Sequence, residues 1–378
     1  MSKSPVRVLR IVAVLNRGGI ESQIMNMYRE IDKEKYQFDF LVTRNEKGIF
    51  EDEIISMGGR IHHIPGVKEV GLFKFIKHIH NFFKENKQYK IVHCHMNTWS
   101  GLILNVAKLN KIQVRIAHSH SANQNKKESS FLSTSEMLFK NIMKRGILKG
   151  ATHLFAVGKA SAAWLYGEQN EVTILPNAKN IQTFEFDQKH RAFLRHEFGI
   201  ADDDVMIGQV GSFSHVKNHE FSVELMNKLI LKKKNVKLFL IGSGVLEEKI
   251  KSKVNEFGLQ DNIIFLGDRN DVNKIMSALD ILILPSFFEG MPNVIIEAQI
   301  ASLLSLVSNT VSSEIDFGVN KVIFEELNVD KWVSIIEKQI GMREIIDLNT
   351  IRQKGYDLKE QVMWHENFYA RVLENLET

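Results

Sequence analysis

A chain built almost entirely of short apolar runs set between longer amphipathic stretches has few folds open to it, and this chain keeps that alternation throughout. An apolar run of about five residues bounded by turn residues has the length of a strand buried on both faces. A stretch with apolar residues three or four apart covers one helical face. In the first half the pattern predicts strands at Val6–Leu15, Phe38–Thr43, Arg60–Ile64, Ile91–His95, Val114–His118, His153–Val157 and Val172–Leu175. Helical patterns separate them at Ile20–Ile31, Phe73–Phe83, Trp99–Leu109 and Phe131–Leu148. A second series starts after Pro176 and Asn177, with strands at Val205–Val210, Val236–Ile241, Ile263–Leu266, Ile281–Leu284 and Leu304–Val307. Its helices include Lys217–Leu231, Leu246–Phe257, Val272–Ala278 and Val294–Ala301. Strand, helix and strand in succession give parallel sheets with helices on both faces, so two series predict two doubly wound α/β domains joined within Leu175–Gly199. Loops at the carboxyl ends of such strands carry ligands, and a cleft between the domains is the expected site.

Composition narrows the class further. The 378 residues, 44% hydrophobic and 25% charged, suit two folded cores, and five prolines leave no long disordered linker. Cys94 is the single cysteine, so no internal disulfide can form and a reducing compartment is expected. Arg7 and Arg10 interrupt the first apolar run, which therefore reads as a strand and not as a signal peptide. No stretch has the roughly 18 uninterrupted apolar residues of a membrane span, and a cytoplasmic protein is expected. The net charge of +4 is unevenly placed: between Lys108 and Gly150 nine basic residues face only Glu128 and Glu136. That segment predicts an anionic partner, and the pattern of Phe131–Leu148 fits a helix lying on a membrane with residues 126–149 at the headgroups. The alternative is that its apolar stripe packs on its own domain. Nothing points to nucleic acid.

The segment from Pro285 to Glu297 is the richest in chemistry. A strand ends at Leu284, a loop with Glu289, Gly290, Met291 and Pro292 follows, and a helix starts near Asn293 with Glu297 one turn in. Free N–H groups and the positive dipole end at a helix start suit a phosphate, while carboxylates accept paired hydrogen bonds from a diol. Together they describe a nucleotide sugar; the alternative is a capped helix with surface acids.

The paired glutamates, in the context Pro-Ser-x-x-Glu-Gly-x-Pro-x-x-x-x-Glu-Ala, resemble the signature of glycosyltransferase family 4, the retaining enzymes of GT-B fold, and particularly its bacterial capsule and exopolysaccharide members. The resemblance spans nearly the whole chain, through Gly18-Gly19-Ile20-Glu21, Val92-His93-Cys94-His95, Ala117-His118-Ser119-His120, Ile174-Leu175-Pro176-Asn177, Val210-Gly211-Ser212-Phe213, Val216-Lys217-Asn218 and Ile264-Phe265-Leu266-Gly267. It implies a GT-B architecture, two Rossmann-like domains facing across a cleft: residues 1–177 on the acceptor side, residues 178–361 binding the nucleotide sugar, and a last helix at about 362–378 returning to the first domain. It implies that Glu297 holds the ribose diol and Glu289 a hydroxyl of the donor sugar. The backbone of Gly290, Met291, Pro292 and Asn293, the Gly211 turn, Lys217 and the Gly18-Gly19 turn would surround the diphosphate, and the loop from Gly267 to Arg269 would meet the base. His118 matches the family's active-site histidine, with His120 second; a satisfied strand-end histidine is the alternative for either. His93 and His95 are expected to alternate in direction, so that at most one of them faces the cleft.

The chain departs from the family at Ser212, where an arginine is usual. A neutral hydrogen bond replaces a charged fork at a cost of about 1.5–3 kcal/mol, and Arg17 and His215 are the cations expected to compensate. A second departure is Ala301-Ser302-Leu303-Leu304, where glycine and proline are common, and this should alter only the turn after the helix. Asp202-Asp203-Asp204 has the form of a metal motif but precedes a strand, so a solvated turn is expected, and Gly242-Ser243-Gly244 reads as a strand-to-helix turn. No metal and no resident cofactor are expected. The resulting expectation is retaining transfer of a hexose or N-acetylhexosamine from a nucleotide diphosphate, UDP before GDP, to a glycan acceptor that is free or lipid-linked. The rivals are a nucleotide-sugar epimerase of the same fold and a catalytically weak sugar-nucleotide-binding protein.

Overall fold

A computed structural model describes residues 4–16, 18–120, 134–201, 203–233, 235–339 and 343–376. The chain forms two compact units, residues 1–179 with 355–378, and residues 180–354. Arg17, Lys126, Lys127 and Phe131 lie outside the described residues.

The first unit is a parallel sheet of β1 (Val6–Val12), β2 (Tyr36–Val42), β3 (Ile61–His63), β4 (Ile91–Cys94), β5 (Val114–Ser119), β6 (His153–Ala156) and β7 (Thr173–Ile174), in the order β3-β2-β1-β4-β5-β6-β7. The chain winds outward to β3 and returns beside β1, so the strand order reverses between β1 and β4. Alternate residues of β1 enter opposite cores: Val8 and Val12 face the helices Gly19–Glu30 and Leu358–Glu374, while Leu9 and Ile11 face Leu72–Glu85 and Ser100–Leu109. β1 ends at Val12, short of the expected Leu15, because the chain turns there. Leu15 still enters the core, and its carbonyl accepts from Phe50 N.

The arginines of β1 are both held by the fold. Arg7 grips Asp39 of β2 through two hydrogen bonds of 2.6 and 2.5 Å. The last helix starts at Leu358, capped by Asp357, four residues ahead of expectation, and its Leu358, Val362, Phe368, Tyr369 and Val372 pack on the same face as Val8.

The second unit repeats the plan with β8 (Val205–Val210), β9 (Val236–Ile241), β10 (Ile263–Gly267), β11 (Ile281–Leu284), β12 (Leu304–Ser308) and β13 (Val322–Glu325), ordered β10-β9-β8-β11-β12-β13 and parallel throughout. Its reversal falls between β8 and β11. β13 and the helices Lys159–Tyr166, Gln188–Glu197 and Val329–Gln339 were not foreseen. After the helix Asn293–Ile300 the chain turns at Ser302 with φ 54°, a left-handed conformation that glycine adopts freely and serine does not. The departure from the family pattern therefore falls on that turn. Among the described residues no helix is long and apolar enough to cross a membrane.

Candidate functional site

In the second unit the site residues gather at the carboxyl ends of β8 and β11, where the strand order reverses. After β8 the chain passes Gly211 and Ser212 into a short turn, His215–Lys217, and Asn218 reverses it with φ 53°. Asn218 Nδ2 donates to Pro285 O at 3.1 Å, and Phe287 N to Val216 O at 2.9 Å, which pins this turn to the loop after β11. Lys217 Nζ then reaches Glu289 Oε1 at 2.6 Å, and Ser286 Oγ donates to the same oxygen at 3.3 Å. The lysine stem lies over Gly211, where a Cβ would come within 2.9 Å of Lys217 Cε. Gly242 in turn approaches Gly211 so closely that a Cβ would sit 2.4 Å from its carbonyl oxygen, and a Cβ on Gly244 would sit 2.7 Å from Phe213 N, which explains the glycines of Gly242-Ser243-Gly244.

The residues assigned to phosphate and to sugar thus meet in one half-buried ion pair. The helix Asn293–Ile300 begins beside it, with Pro292 at its N-cap and no side-chain cap, and Glu297 lies half-buried one turn on. An uncapped helix start leaves N–H groups for an anion. Arg269 is less available than expected, since its guanidinium holds Asp271 at 2.8 and 2.7 Å; Asp268 of the same loop accepts from Ser243. Ser212 is exposed, its Oγ 3.4 Å from Ser214 Oγ. His215, the second side chain considered as a substitute for the family arginine, stacks on Phe287 with ring centroids 5.0 Å apart. The first, Arg17, lies outside the described residues.

In the first unit, Gly18 caps the helix Gly19–Glu30 without a side chain, which leaves N–H groups at that helix start too. Glu21 folds over it, and burial raises its carboxyl pKa above the ordinary value. Glu21 had no assigned role in the sequence. Its acidic place in the first turn of a helix was the available signal.

His118 is not at an open strand end. It lies inside β5, 7% exposed, within a cluster of five histidines around Arg10. The expectation that His93 and His95 alternate in direction is wrong, because residues two apart on a strand share a face. Their rings stack at 4.4 Å, and those of His118 and His120 lie 4.2 Å apart. Strand pairing sets Arg10 beside His93, and the last helix adds His365 and Tyr369. Arg10 is 2% exposed and has no carboxylate partner among the described residues. It reaches Tyr369 Oη at 2.8 Å and His93 Nδ1 at 2.5 Å, and stacks 4.1 Å from the centre of the Phe38 ring. Burial, then the nearby guanidinium, pushes His120 and His365 down to about 3, and burial above all holds His93, His95 and His118 well below the ordinary range. His93, His95 and His118 bring ligand atoms within 4.8 Å of one another, as a metal site would. A guanidinium about 4 Å from a divalent ion would oppose it by about 8 kcal/mol at an effective dielectric of about 20, and the ring nitrogens of His93 are both already engaged, one of them by Arg10 itself.

The sequence matches two family models, Glycosyltransferase Family 4 over residues 17–182 and Glycosyl transferases group 1 over residues 190–356. It is 32% identical over 372 residues to EpsF, named a glycosyltransferase, of Bacillus subtilis (strain 168), covering 96% of each chain. The chain belongs to the family 4 glycosyltransferases. The capsular polysaccharide biosynthesis glycosyltransferase CapH of Staphylococcus aureus is 27% identical, over 95% of this chain and 99% of that one. The UDP-Gal:alpha-D-GlcNAc-diphosphoundecaprenol alpha-1,3-galactosyltransferase of Escherichia coli is 23% identical, over 81% of this chain and 80% of its own. Among solved structures, Anabaena HepE in complex with UDP superposes with a TM-score of 0.78 at 13% identity, covering 97% of this chain and 100% of that one. The fold of this glycosyltransferase is therefore GT-B.

Asp203 and Asp204 sit in a turn ahead of β8, where Asn235 Nδ2 donates to Asp203 and Ala201 N to Asp204. They lie at the amino ends of the strands, opposite Lys217 and Glu289 in that unit.

Proposed function

We propose that this glycosyltransferase moves a hexose or N-acetylhexosamine from a UDP-sugar to a lipid-linked glycan in surface polysaccharide synthesis, retaining the anomeric configuration. The observation that carries the reading is the Lys217–Glu289 pair set against an uncapped helix start at the strand-order reversal of the second unit. A lysine and free N–H groups suit the diphosphate, and carboxylates at Glu289 and Glu297 suit sugar and ribose hydroxyls. In this reading a departing phosphate oxygen takes the acceptor proton, so the protein supplies position and charge in place of a general base. The charge comes from protein groups, and transfer is proposed to proceed without added divalent metal.

The acceptor side rests on the helix Thr134–Gly150. Its inner face packs against Ser100–Leu109 so closely that a Cβ on Gly101 would meet Met143 O at 2.0 Å, with Ile147 fully buried. Its outer face leaves Met137, Leu138, Ile142 and Leu148 42–61% exposed, with Arg145 and Lys149 exposed beside them. An apolar stripe flanked by cations suits an anionic leaflet, and we assign this face to peripheral docking on the inner membrane surface. Lys144 does not belong to that flank: its ammonium donates to Trp164 O and lies 4.3 Å over the Trp164 ring.

The test is incubation with UDP-sugars, with and without a polyprenyl diphosphate glycan in anionic vesicles and with and without a chelator. Acceptor-dependent UDP release and a product of unchanged anomeric configuration are expected. Interconverted sugar nucleotide without acceptor would mean an epimerase, and tight UDP binding without release would mean a non-catalytic protein.

A further inference from the structure

The buried cluster in the first unit fixes where its protons lie. A guanidinium carries donors only, so His93 Nδ1, 2.5 Å from Arg10 Nη1, must be the lone-pair nitrogen, and the proton of His93 sits on Nε2. His93 Nε2 is 3.1 Å from His118 Nδ1, which then accepts, and His118 carries its proton on Nε2. A second branch runs from Arg10 Nη1 to His95 Nε2 at 3.4 Å and from His95 Nδ1 to His120 Nε2 at 2.8 Å. Donor and acceptor alternate along both branches only while every ring is neutral. One added proton would set two N–H groups against each other. Burial beside a guanidinium opposes that proton, and the other groups facing the cluster, Tyr369 and His365 from the last helix, bring no negative charge at neutral pH.

We propose that Arg10, through His93, is a positioning residue that locks His118 as a neutral Nε2–H hydrogen-bond donor and polarises that N–H. His118 Nε2 is buried with no protein partner. It lines a cavity of about 20 Å³, room for one oxygen, together with Asn177 and His365. Asn177 Oδ1 and His365 Nε2 are likewise buried without a protein partner, and His365 Nδ1 donates to Gln361 O at 2.8 Å, which leaves Nε2 as a lone pair. The relay therefore ends in one donor and two acceptors. His118 acts as a fixed donor to an oxygen there and not as a general acid or base. Its service in sugar transfer rests on the transferase reading above, whereas the tautomer lock does not.

The experiment is imidazole 15N–1H correlation NMR of the intact, histidine-labelled protein, with resonances assigned by substitution. In the unsubstituted protein His118 should appear as the Nε2–H tautomer with no titration between about pH 5.5 and about pH 8, a window that a free histidine crosses. His93→Phe keeps a ring but neither nitrogen; it should mix the His118 tautomers and lower kcat about tenfold with KM for the UDP-sugar unchanged. His93→Gln, which can accept from Arg10 and donate to His118, should restore both. A His118 that is Nδ1–H or titrates in that window overturns the proposal without any variant, and so does an unaltered His118 tautomer in His93→Phe. An enzyme without turnover but with the locked tautomer would sink the transferase reading and leave the relay standing.

Discussion

The two sheets of this chain share one winding and put different things where it reverses. Beyond β8 and β11 the second unit carries an ion pair, Lys217 with Glu289, each side chain 18–19% exposed and supplied by loops next to an uncapped helix. Between β1 and β4 the first unit carries a guanidinium sealed among neutral rings, with five histidines contributed by β4, β5, the residues following them and a helix some 240 positions later in the chain. One arrangement keeps its charge within reach of solvent, where an anionic ligand can displace a partner. The other hides its cation and can express it only through oriented N–H groups. The difference separates a place that binds charge from a place that orders hydrogen bonds.

Acid should expose that difference most strongly. The five clustered histidines of the first unit have folded pKa values below the unfolded value of about 6.5, so the unfolded chain takes up protons first as pH falls. Stability is then complete above about pH 7 and lost downward from about 6.5 towards the folded values, about 3 for His120 and His365. Each histidine kept neutral costs about 1.4 kcal/mol per pH unit in this range, so two acting fully remove about 3 kcal/mol between pH 6 and 5. In the second unit His219, pushed down to about 4 by burial and by Lys217, is the one comparable group among the described residues. Hydrogen exchange read separately over β4–β5 and β8–β11 at pH 7.5 and 5 should show the first unit loosening and the second nearly unchanged. Equal loosening would break the comparison.

Next in size is chemistry at the Lys217–Glu289 pair. If Lys217 neutralises the departing diphosphate as proposed, Lys217→Ala should cut turnover about 10²–10³-fold, with weaker UDP binding by calorimetry. His118→Ala should cut turnover while UDP affinity stays, because its N–H belongs to the other arrangement. Retained UDP affinity in Lys217→Ala would remove the diphosphate from that loop.

These two regions also differ in how far they could be read from sequence. The strand alternation gave both sheets, since strands buried on two faces are apolar whatever their neighbours. The run from Pro285 to Glu297 held a strand end, a glycine loop and a helix start within one local stretch, so its chemistry was visible. Arg10 looked like an interruption of an apolar run, and only pairing with His93 in β4 shows that it is the centre of a polar core. His365 and Tyr369 carry no local signal; their helix joins the cluster through packing far from the histidine motifs. The shared face of His93 and His95 was legible from the two-residue period of a strand and was misread.

The carboxylates of the second unit should split by ligand part, at about 1.5–3 kcal/mol, or roughly ten- to a hundredfold in Kd. Glu297→Ala should weaken UDP by that factor. Glu289→Ala should leave UDP binding unchanged or tighter, since it frees the Lys217 ammonium, while turnover falls. Equal losses in calorimetry would remove the division of roles. Ser212 is exposed, so Ser212→Arg should tighten UDP up to tenfold if the diphosphate lacks a cation. No change would mean that His215 or another group already fills the place.

The smallest effect sharpens the comparison within a single helix. Along Thr134–Gly150, Arg145 and Lys149 follow Leu138 and Ile142 on the outer row, while Lys144 is folded onto Trp164. Each basic residue near an anionic leaflet contributes about 1 kcal/mol, so Arg145→Ser with Lys149→Ser should weaken binding to anionic vesicles by about thirtyfold at low salt. High salt should erase the difference, because counter-ions screen surface charge over about 10 Å at 0.1 M. Lys144→Ser should leave vesicle binding alone and instead lower thermal stability slightly, through the lost contact with Trp164. Co-sedimentation with anionic and neutral vesicles reads the first pair, and a melting curve reads the second. Should Lys144→Ser weaken vesicle binding as much as the outer pair, the inner row would have to face lipid. The close packing of Gly101 on Met143 leaves no space for that.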